Sequence, residues 1–329
     1  MRRTVWVAAL AALSVVLGAA PGRAGAKELG TVRLGWGPWI SDAPFFVAMA
    51  KGFFEAEGVK VETENFASSA KMMQPLSLGQ LHVSSGGVSA GLFNAIASGA
   101  DIRAVADKGQ GRPGTEFVHL VMRKDLVEGG RFKGPKDLRG LKLSVNAPGL
   151  IQEYILAKYA ESGGVGWKDL NVTAVAPPNF NVALRNKALD GGIQAEPYGA
   201  YAESEGLGVR VFAAGKVKAL ERVQISLVVL SGKFMKESPA LARAFMRAYV
   251  KGIQYFNQKT VKDPEVVSII SRYSKIPEAA VRSAVPAHLD TEGRLDVESL
   301  AAVQDWFVAV GSVKERIPME KVVDMSLLK

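Results

Sequence analysis

Cysteine is absent from the 329-residue sequence, and its absence removes several kinds of site. Without a thiol the chain has no disulfide, no cysteine nucleophile, no cysteine metal ligand and no cysteine for lipid attachment. Histidine is scarce as well, because His82, His119 and His288 are the three copies. Their scattered positions lack the spacing of a metal site. We therefore expect neither a metal nor another cofactor.

Long apolar runs are also missing, except for one near the N-terminus. Arg2 and Arg3 precede the apolar residues 5–20, and the small residues 24–26 follow at a spacing suited to cleavage. This is the layout of a secretory signal peptide, and the run is short for a membrane span, which needs about 20 apolar residues. We expect residues 1–26 to be a signal peptide and the mature chain to work in the bacterial periplasm. An uncleaved N-terminal anchor is the alternative.

Blocks of basic residues with interleaved aromatics are not found, so nucleic-acid binding is not expected. The formal charge is +9, and removal of residues 1–26 takes away three arginines and no acids, which leaves +6. This excess could steer small anions towards the protein or keep it soluble. A chain of this length with 48 % apolar residues suits two domains, each with its own core.

Short β-type runs alternate with helical stretches from residue 31 onward, which predicts an α/β fold with mostly parallel sheets and helices on both faces. The pattern starts again near residue 140, and residues 76–83 resemble residues 184–191, so we expect two similar lobes. The predicted strands are 32–34, 59–66, 81–84, 102–106, 116–122, 141–145, 172–176, 192–195, 209–212 and 223–230. The residues after 231 are predicted to be helical.

Two motifs suggest enzymes. Residues 87–91 read GVSAG, a nucleophile-elbow pattern that would make Ser89 the nucleophile of a hydrolase. However, Ser89 falls in the first turn of a predicted helix, and no His-Gly-Gly segment is available for an oxyanion hole. Residues 109–114 read GQGRPG, which matches the spacing of a dinucleotide-binding motif. That motif must be followed by a helix, whereas Pro113 and a β run follow here, so we interpret the segment as a loop.

Small polar residues recur where the predicted strands end. Ligands of open α/β sheets bind at the carboxyl ends of the strands, so these residues are candidates for a site in the gap between the lobes. Aromatic rings at the same ends could stack on an organic ligand. The candidate ligand-binding residues are Trp36, Ser41, Asp42, Ser69, Ser84, Ser85, Gly86, Lys108, Asn146, Gly149, Glu196 and Tyr198. Lys71 and Arg112 are further candidate cations.

The order of four segments resembles one family, the periplasmic solute-binding proteins of ABC importers, in the branch that serves sulfonates, nitrate and thiamine precursors. Residues 48–62 read AMAKGFFEAEGVKVE and residues 76–82 supply a Leu-x-x-Gly pattern. Residues 136–145 read KDLRGLKLSV and residues 188–198 read ALDGGIQAEPY. Gly191 with Gly192, and the turn at 146–149, depart from the usual pattern of the family.

The resemblance implies a type II periplasmic-binding-protein fold, in which two lobes are joined by two hinge strands, here 116–122 and 223–230. Lobe 1 would comprise residues 27–122 and 223–329, and lobe 2 residues 123–222. The lobes would close on a solute by hinge bending and present a new surface to the permease. The implied partners are the solute and the permease and ATPase subunits of an importer, with the protein itself a monomer.

The class of solute stays open on the sequence. Helix N-termini and small polar residues favour a sulfonate, nitrate or an aromatic or carboxylic acid. Asp42 and Glu196 could instead recognise the N–H groups of a thiamine-pyrimidine-type precursor. An enzyme on the same fold, either a carbon–sulfur lyase or a hydrolase at Ser89, is the alternative of another class. We do not expect an enzyme, because the lyases that resemble this family rely on cysteine or a histidine-rich site.

Overall fold

The computed structural model describes residues 29–329 of the chain. The expected signal peptide, residues 1–26, lies outside the described residues. Within 29–329, no helix combines the length and the apolar character that crossing a bilayer requires.

The described residues form ten strands and fourteen α-helices, in an order that alternates as the sequence predicts. The strands are β1 Gly30–Trp36, β2 Val59–Asn65, β3 Val83–Gly87, β4 Ile102–Gly111, β5 Val118–Arg123, β6 Lys142–Val145, β7 Asn171–Ala174, β8 Gly191–Ala195, β9 Gly208–Ala213 and β10 Val223–Ser231. The helices are α1 Ala43–Ala50, α2 Phe53–Ala56, α3 Met73–Ser77, α4 Ala90–Ala97, α5 Lys124–Glu128, α6 Ile151–Ser162, α7 Pro177–Arg185, α8 Tyr198–Ser204, α9 Gly232–Glu237, α10 Pro239–Lys259, α11 Pro264–Ser274, α12 Glu278–Ser283, α13 Val297–Ala309 and α14 Met319–Val322.

The strands make two five-stranded sheets of the same design. The first has the order β2-β1-β3-β10-β4 and the second β7-β6-β8-β5-β9. In the first sheet β1, β2 and β3 are parallel, whereas β10 is antiparallel to both of its neighbours. In the second, β6, β7 and β8 are parallel and β5 is the antiparallel strand. The predicted α/β class, with two mixed, mostly parallel sheets, is confirmed.

The two expected hinge strands do not cross between the sheets. Strand β5 pairs with β8 and β9 in the second sheet along its length, and β10 pairs with β3 and β4 in the first. The chain passes from one sheet to the other through the non-strand segments 112–117 and 214–222. Both predicted crossing strands are therefore wrong, because their hydrogen bonds are used within a single sheet.

Strands β3 and β4 extend further than the sequence predicts. Their expected ends were residues 84 and 106, but β3 continues to Gly87 and β4 to Gly111. Ser85, Gly86 and Lys108 therefore lie inside strands and not in loops after them, and Ser84 lies within the pairing and not at its end. The antiparallel partner β10 lies between β3 and β4 and supplies the hydrogen bonds for this extension.

Helix α1 is buried between the first sheet and the helices of the C-terminal part. Phe45 stacks on Tyr249 of α10 with ring centroids 4.2 Å apart, and Phe46 stacks on Tyr273 of α11 at 4.4 Å. A side chain at Gly252 would lie 2.2 Å from the Pro44 carbonyl oxygen, so glycine is needed where α10 crosses the start of α1. This packing fixes the loop that joins β1 to α1, where several candidate residues lie.

Candidate solute-binding site

A small cavity lies where the strands of the two sheets end towards each other. Its volume is about 40 Å³, enough for very few water molecules. We call it the polar cavity; its lining is Trp39, Ser41, Ser69, Gly87, Phe117, Val118, Asn146, Leu150, Ile151, Gln152, Ala195, Ile225 and Ser226. Because the walls come from both sheets, the structure brings together three of the predicted site residues, Ser41, Ser69 and Asn146.

The turn before α6 aims Asn146 at the polar cavity. The Asn146 amide N–H donates to Gln152 Oε1 at 3.0 Å, and the Gly149 N–H donates to Glu153 Oε2 at 3.0 Å. Gly149 has a φ of +69°, a conformation that glycine adopts without strain. Burial raises the pKa of Glu153, against the hydrogen bond from Gly149. Two side chains from the first turn of α6 thus hold the turn in place.

The polar groups of the cavity are neutral and incompletely satisfied. Asn146 is 8 % exposed, and its Oδ1 atom has no hydrogen-bond partner. The Ser69 hydroxyl reaches only the Gly87 carbonyl oxygen, at 3.5 Å. Buried polar atoms are nearly always paired in folded proteins, so an unpaired one in a cavity between sheets marks a place for a ligand or water. Among the described residues, the lining contains hydroxyl and amide side chains and no charged one.

Asp42 and Lys108 form a buried ion pair behind the cavity, and Ser85 hydrogen-bonds to Asp42. Lys108 Nζ lies 2.7 Å from Asp42 Oδ2 and donates to Ser41 Oγ at 3.1 Å, while Ser85 donates to Asp42 Oδ1. Burial raises the pKa of Asp42 and lowers that of Lys108, and the opposite charge of each partner counteracts the effect. Because Ser41 Oγ accepts from Lys108, the Ser41 O–H remains available to donate to a ligand.

Backbone hydrogen bonds join the two sides around the cavity. The Ile40 N–H donates to the Glu196 carbonyl oxygen at 2.8 Å. On another side, the Ala90 N–H donates to the Gly149 carbonyl oxygen at 2.8 Å, and the Ile151 N–H to that of Val88 at 2.9 Å. We call these last two bonds the 88–151 clasp. The small volume of the cavity fits this closed arrangement.

The Glu196 carboxylate is turned into the second half of the molecule. Its Oε1 atom accepts from Arg210 at 2.5 Å and lies 3.1 Å from His119 Nε2, and its Oε2 accepts from the Ala200 N–H at 2.9 Å. Burial would raise the pKa of Glu196, but the contacts with His119, Arg210 and Ala200 outweigh it and hold the pKa below its usual value. This carboxylate therefore organises the start of α8.

Trp36 and Tyr198 line a different and larger cleft. Its volume is about 530 Å³, and we call it the aromatic cleft. Its lining is Trp36, Pro38, Asn65, Pro177, Pro178, Asn181, Tyr198, Tyr201, Tyr273, Ser274, Lys275 and Ile276. Burial raises the pKa of Tyr198 to about 12.

The remaining candidates have structural contacts. The Ser84 hydroxyl donates to the Met72 sulfur at 3.2 Å, and a side chain at Gly86 would lie 2.4 Å from Ser69 Cβ, so Gly86 allows the 69–72 turn to approach β3. Ser89 caps α4, because its Oγ accepts from the Leu92 N–H at 3.2 Å. Residues 29–329 contain no group of three or more histidine, aspartate or glutamate side chains placed to hold a metal.

Sequence reasoning missed Gln152 and Ser226 of the polar cavity and selected Trp36 in place of Trp39. A signal was present for Gln152 and Ser226. Gln152 is a polar residue on the otherwise buried face of α6, and Ser226 interrupts the apolar run of β10. Trp39 lies three residues after Trp36, the last residue of β1, and nothing in the sequence distinguishes which of the two rings faces which cavity.

Two sheets of matched topology with a cavity between their strand ends define the two-lobed class of solute-binding folds. Residues 25–271 match the model of the NMT1-like family, and the chain belongs to this family. The resemblance drawn from the sequence is thereby confirmed.

Three known proteins illustrate the likeness. The chain is 26 % identical over 258 residues to the riboflavin-binding protein RibY of Chloroflexus aurantiacus, an alignment that covers 76 % of this chain and 67 % of RibY. The alkanesulfonate-binding protein SsuA of Xanthomonas axonopodis pv. citri, solved with MOPS, superposes with a TM-score of 0.74 at 16 % identity over 91 % of this chain and 99 % of SsuA. The periplasmic nitrate-binding protein NrtA of Synechocystis PCC 6803 superposes with a TM-score of 0.75 at 15 % identity, over 92 % of this chain and 88 % of NrtA. At such identities the two structures show a shared fold.

Proposed function

We propose that this protein is the solute-binding component of an ABC importer and that it captures a small polar or anionic organic solute between its two lobes. The polar cavity, at about 40 Å³, would hold the polar head group and not the whole solute. The observation that carries the proposal is the cavity itself, whose walls come from the strand ends of both sheets and include the unpaired Asn146 Oδ1. The family and the sulfonate- and nitrate-binding proteins of like fold support it. The protein would act as a binder and not as an enzyme, as its three named relatives do.

The division into lobes follows from the sheets. We propose that lobe 2 runs from segment 112–117 to residue 222 and that the rest of residues 27–329 forms lobe 1. The expected boundary between residues 122 and 123 thus moves to segment 112–117, because β5 pairs within the second sheet. Segments 112–117 and 214–222 would act as hinges, because neither belongs to a strand. A signal peptide at residues 1–26 would deliver the chain to the periplasm, where the closed monomer would meet a permease with its ATPase.

The donors of the cavity suit a solute with acceptor oxygens, such as a sulfonate, nitrate or a carboxylic acid, whereas the unpaired Asn146 Oδ1 is an acceptor and needs a donor from the solute or from water. The Ser41 hydroxyl and the Asn146 and Gln152 amides supply donors to such a group. A thiamine-pyrimidine-type ligand would need free carboxylates, but Asp42 pairs with Lys108 and Ser85, and Glu196 with Arg210. Those two carboxylates are therefore committed to the protein itself.

A thermal-shift screen of the mature protein tests the proposal. The panel contains sulfonates, nitrate, aromatic acids, pyrimidines and riboflavin, the last because of the RibY relative. A solute at 100 times its Kd should stabilise the native state by about 2.7 kcal/mol. Asn146→Ala should abolish the shift, whereas Asn171→Ala, at an exposed position of the same half, should keep it. A full shift in Asn146→Ala would show that the polar cavity is not the site.

A further inference from the structure

The aromatic cleft is more than ten times larger than the polar cavity, at about 530 Å³ against about 40 Å³. Its volume falls within the range of about 300–1,000 Å³ that small-molecule sites occupy. We propose that the aromatic cleft is a second binding site, separate from the polar cavity, and that it takes a planar aromatic anion.

The walls of the cleft are rigid rings from both halves of the chain. Trp36 meets Phe46 edge-on at 5.1 Å and Tyr273 edge-on at 5.6 Å, and Phe46 and Tyr273 stack on each other. Tyr198 and Tyr201 approach from α8, three residues apart and therefore on one face of that helix. Fixed aromatic walls favour a flat ring system, because stacking on it requires little loss of side-chain freedom.

Two side chains of the lining carry buried donors without partners. Trp36 is 8 % exposed, and its Nε1 makes no hydrogen bond; the Nδ2 atom of Asn181 is likewise buried and unpaired. Both atoms can only donate. A bound ligand that offers acceptor atoms on or beside its ring would pair them, so the cleft selects for an aromatic compound with acceptors.

A lysine gives the rim of the cleft its charge. Lys275 follows the last residue of α11 and adopts the left-handed conformation, with a φ of 62°, and its side chain is exposed at the cleft. Glu278, the acid nearest to it along the chain, pairs with Arg282 at 3.7 Å. The Lys275 ammonium therefore favours an anionic substituent on the ring.

The cleft and the polar cavity are separated by a backbone contact. Pro38 and Tyr198 line the cleft, whereas Trp39 and Ala195 line the cavity. The hydrogen bond from the Ile40 N–H to the Glu196 carbonyl joins the two segments at this boundary. A ligand in the cleft contacts residues that follow strands of both sheets, so its binding also favours the closed arrangement.

Calorimetric titration with a matched pair of probes tests the proposal. The probes are a naphthalene sulfonate and the corresponding uncharged sulfonamide, with the full mature chain. The sulfonate should bind more tightly, and Lys275→Gln should weaken its binding by about 2- to 5-fold while leaving the sulfonamide unaffected. Lys168→Gln, at another exposed lysine, is the matched control and should change neither affinity.

The donor atoms are tested by Trp36→Phe, which keeps a ring and removes the N–H, and by Asn181→Leu. Each variant should lower the affinity for both probes by about 2- to 10-fold. Circular dichroism confirms the fold of each variant, and Lys275→Gln, being exposed, tests the site even if the other two are destabilised. Failure of both probes to bind would overturn the proposal. So would sulfonate binding that Asn146→Ala abolishes and these three variants leave intact, a result that would place the ligand in the polar cavity and support the proposed function.

Discussion

Lys108 Nζ lies 2.7 Å from Asp42 Oδ2, and neither side chain is exposed to solvent. The pair joins β4 to the turn that precedes α1, and Lys108 also donates to Ser41. Charges buried in this way are stabilised by their partner and by further hydrogen bonds, here from Ser85. The position of the Ser41 hydroxyl in the polar cavity therefore depends on an interaction behind the cavity.

Replacing one member of this pair should destabilise the protein strongly. Lys108→Met leaves the Asp42 carboxylate buried without its counter-charge, and we expect the free energy of unfolding to fall by about 3–5 kcal/mol. The double variant Asp42→Leu with Lys108→Met should recover most of the loss, because no uncompensated charge remains. Urea unfolding of the two variants measures both effects. Equal stability of the single and double variants would contradict the assignment.

The 88–151 clasp should respond to a substitution at Gly149. Gly149→Ala places a side chain at a φ of +69° and 3.3 Å from Ala90 Cβ, so it should cost about 1 kcal/mol and loosen the contact. Gly164→Ala is the matched control, with a φ of +74° and no neighbouring atom within 4 Å. Both variants should lose similar stability, but only Gly149→Ala should show an increased radius of gyration by small-angle X-ray scattering. An unchanged radius in both would argue against a role of the clasp in closure.

The approach of the 69–72 turn to β3 should depend on Gly86. A methyl group there would lie 2.4 Å from Ser69 Cβ, so Gly86→Ala forces Ser69 away from the polar cavity. We expect a loss of about 1–3 kcal/mol from overpacking, together with weaker solute binding. Gly91→Ala is the control, since its nearest neighbour is 3.7 Å away. Thermal unfolding and titration with the solute found in the screen measure the two effects, and unaltered binding by Gly86→Ala would separate Ser69 from the site.

Asp107 should make the stability depend on pH. Burial raises the pKa of this carboxyl from 3.8 to about 6, although the Gly109 and Asp290 amides and the Gln224 side chain donate to it at 2.7–2.8 Å. Because the folded state holds the proton more tightly than the unfolded state, stability should fall as the pH rises through this window and level off above it. The unfolding free energy of the wild type, relative to that of Asp107→Asn, should therefore fall by up to about 3 kcal/mol as the pH rises over that range. A difference that does not vary with pH would contradict the raised pKa.

The sequence by itself determined the architecture and part of the site. The alternation of strands and helices, with its restart near residue 140, requires two covered sheets, because each amphipathic element must bury its apolar face. The polar residues at the ends of β1, after β2 and after β6 identified Ser41, Ser69 and Asn146, since strand ends and their turns can be read locally. The order of the segment motifs also identified the family.

Only the tertiary structure decided what the other candidates do. Strands β3 and β4 extend through Ser84, Ser85, Gly86 and Lys108 because their hydrogen-bond partner β10 arrives from far along the chain. The sequence near β3 and β4 does not indicate that pairing, because β10 is distant in the chain. The same folding commits Asp42 and Glu196 to cationic partners and places Trp36 and Tyr198 together in the aromatic cleft. The type of a residue limits the contacts that its side chain can make. The packing of segments that are distant in the sequence decides which of those contacts form.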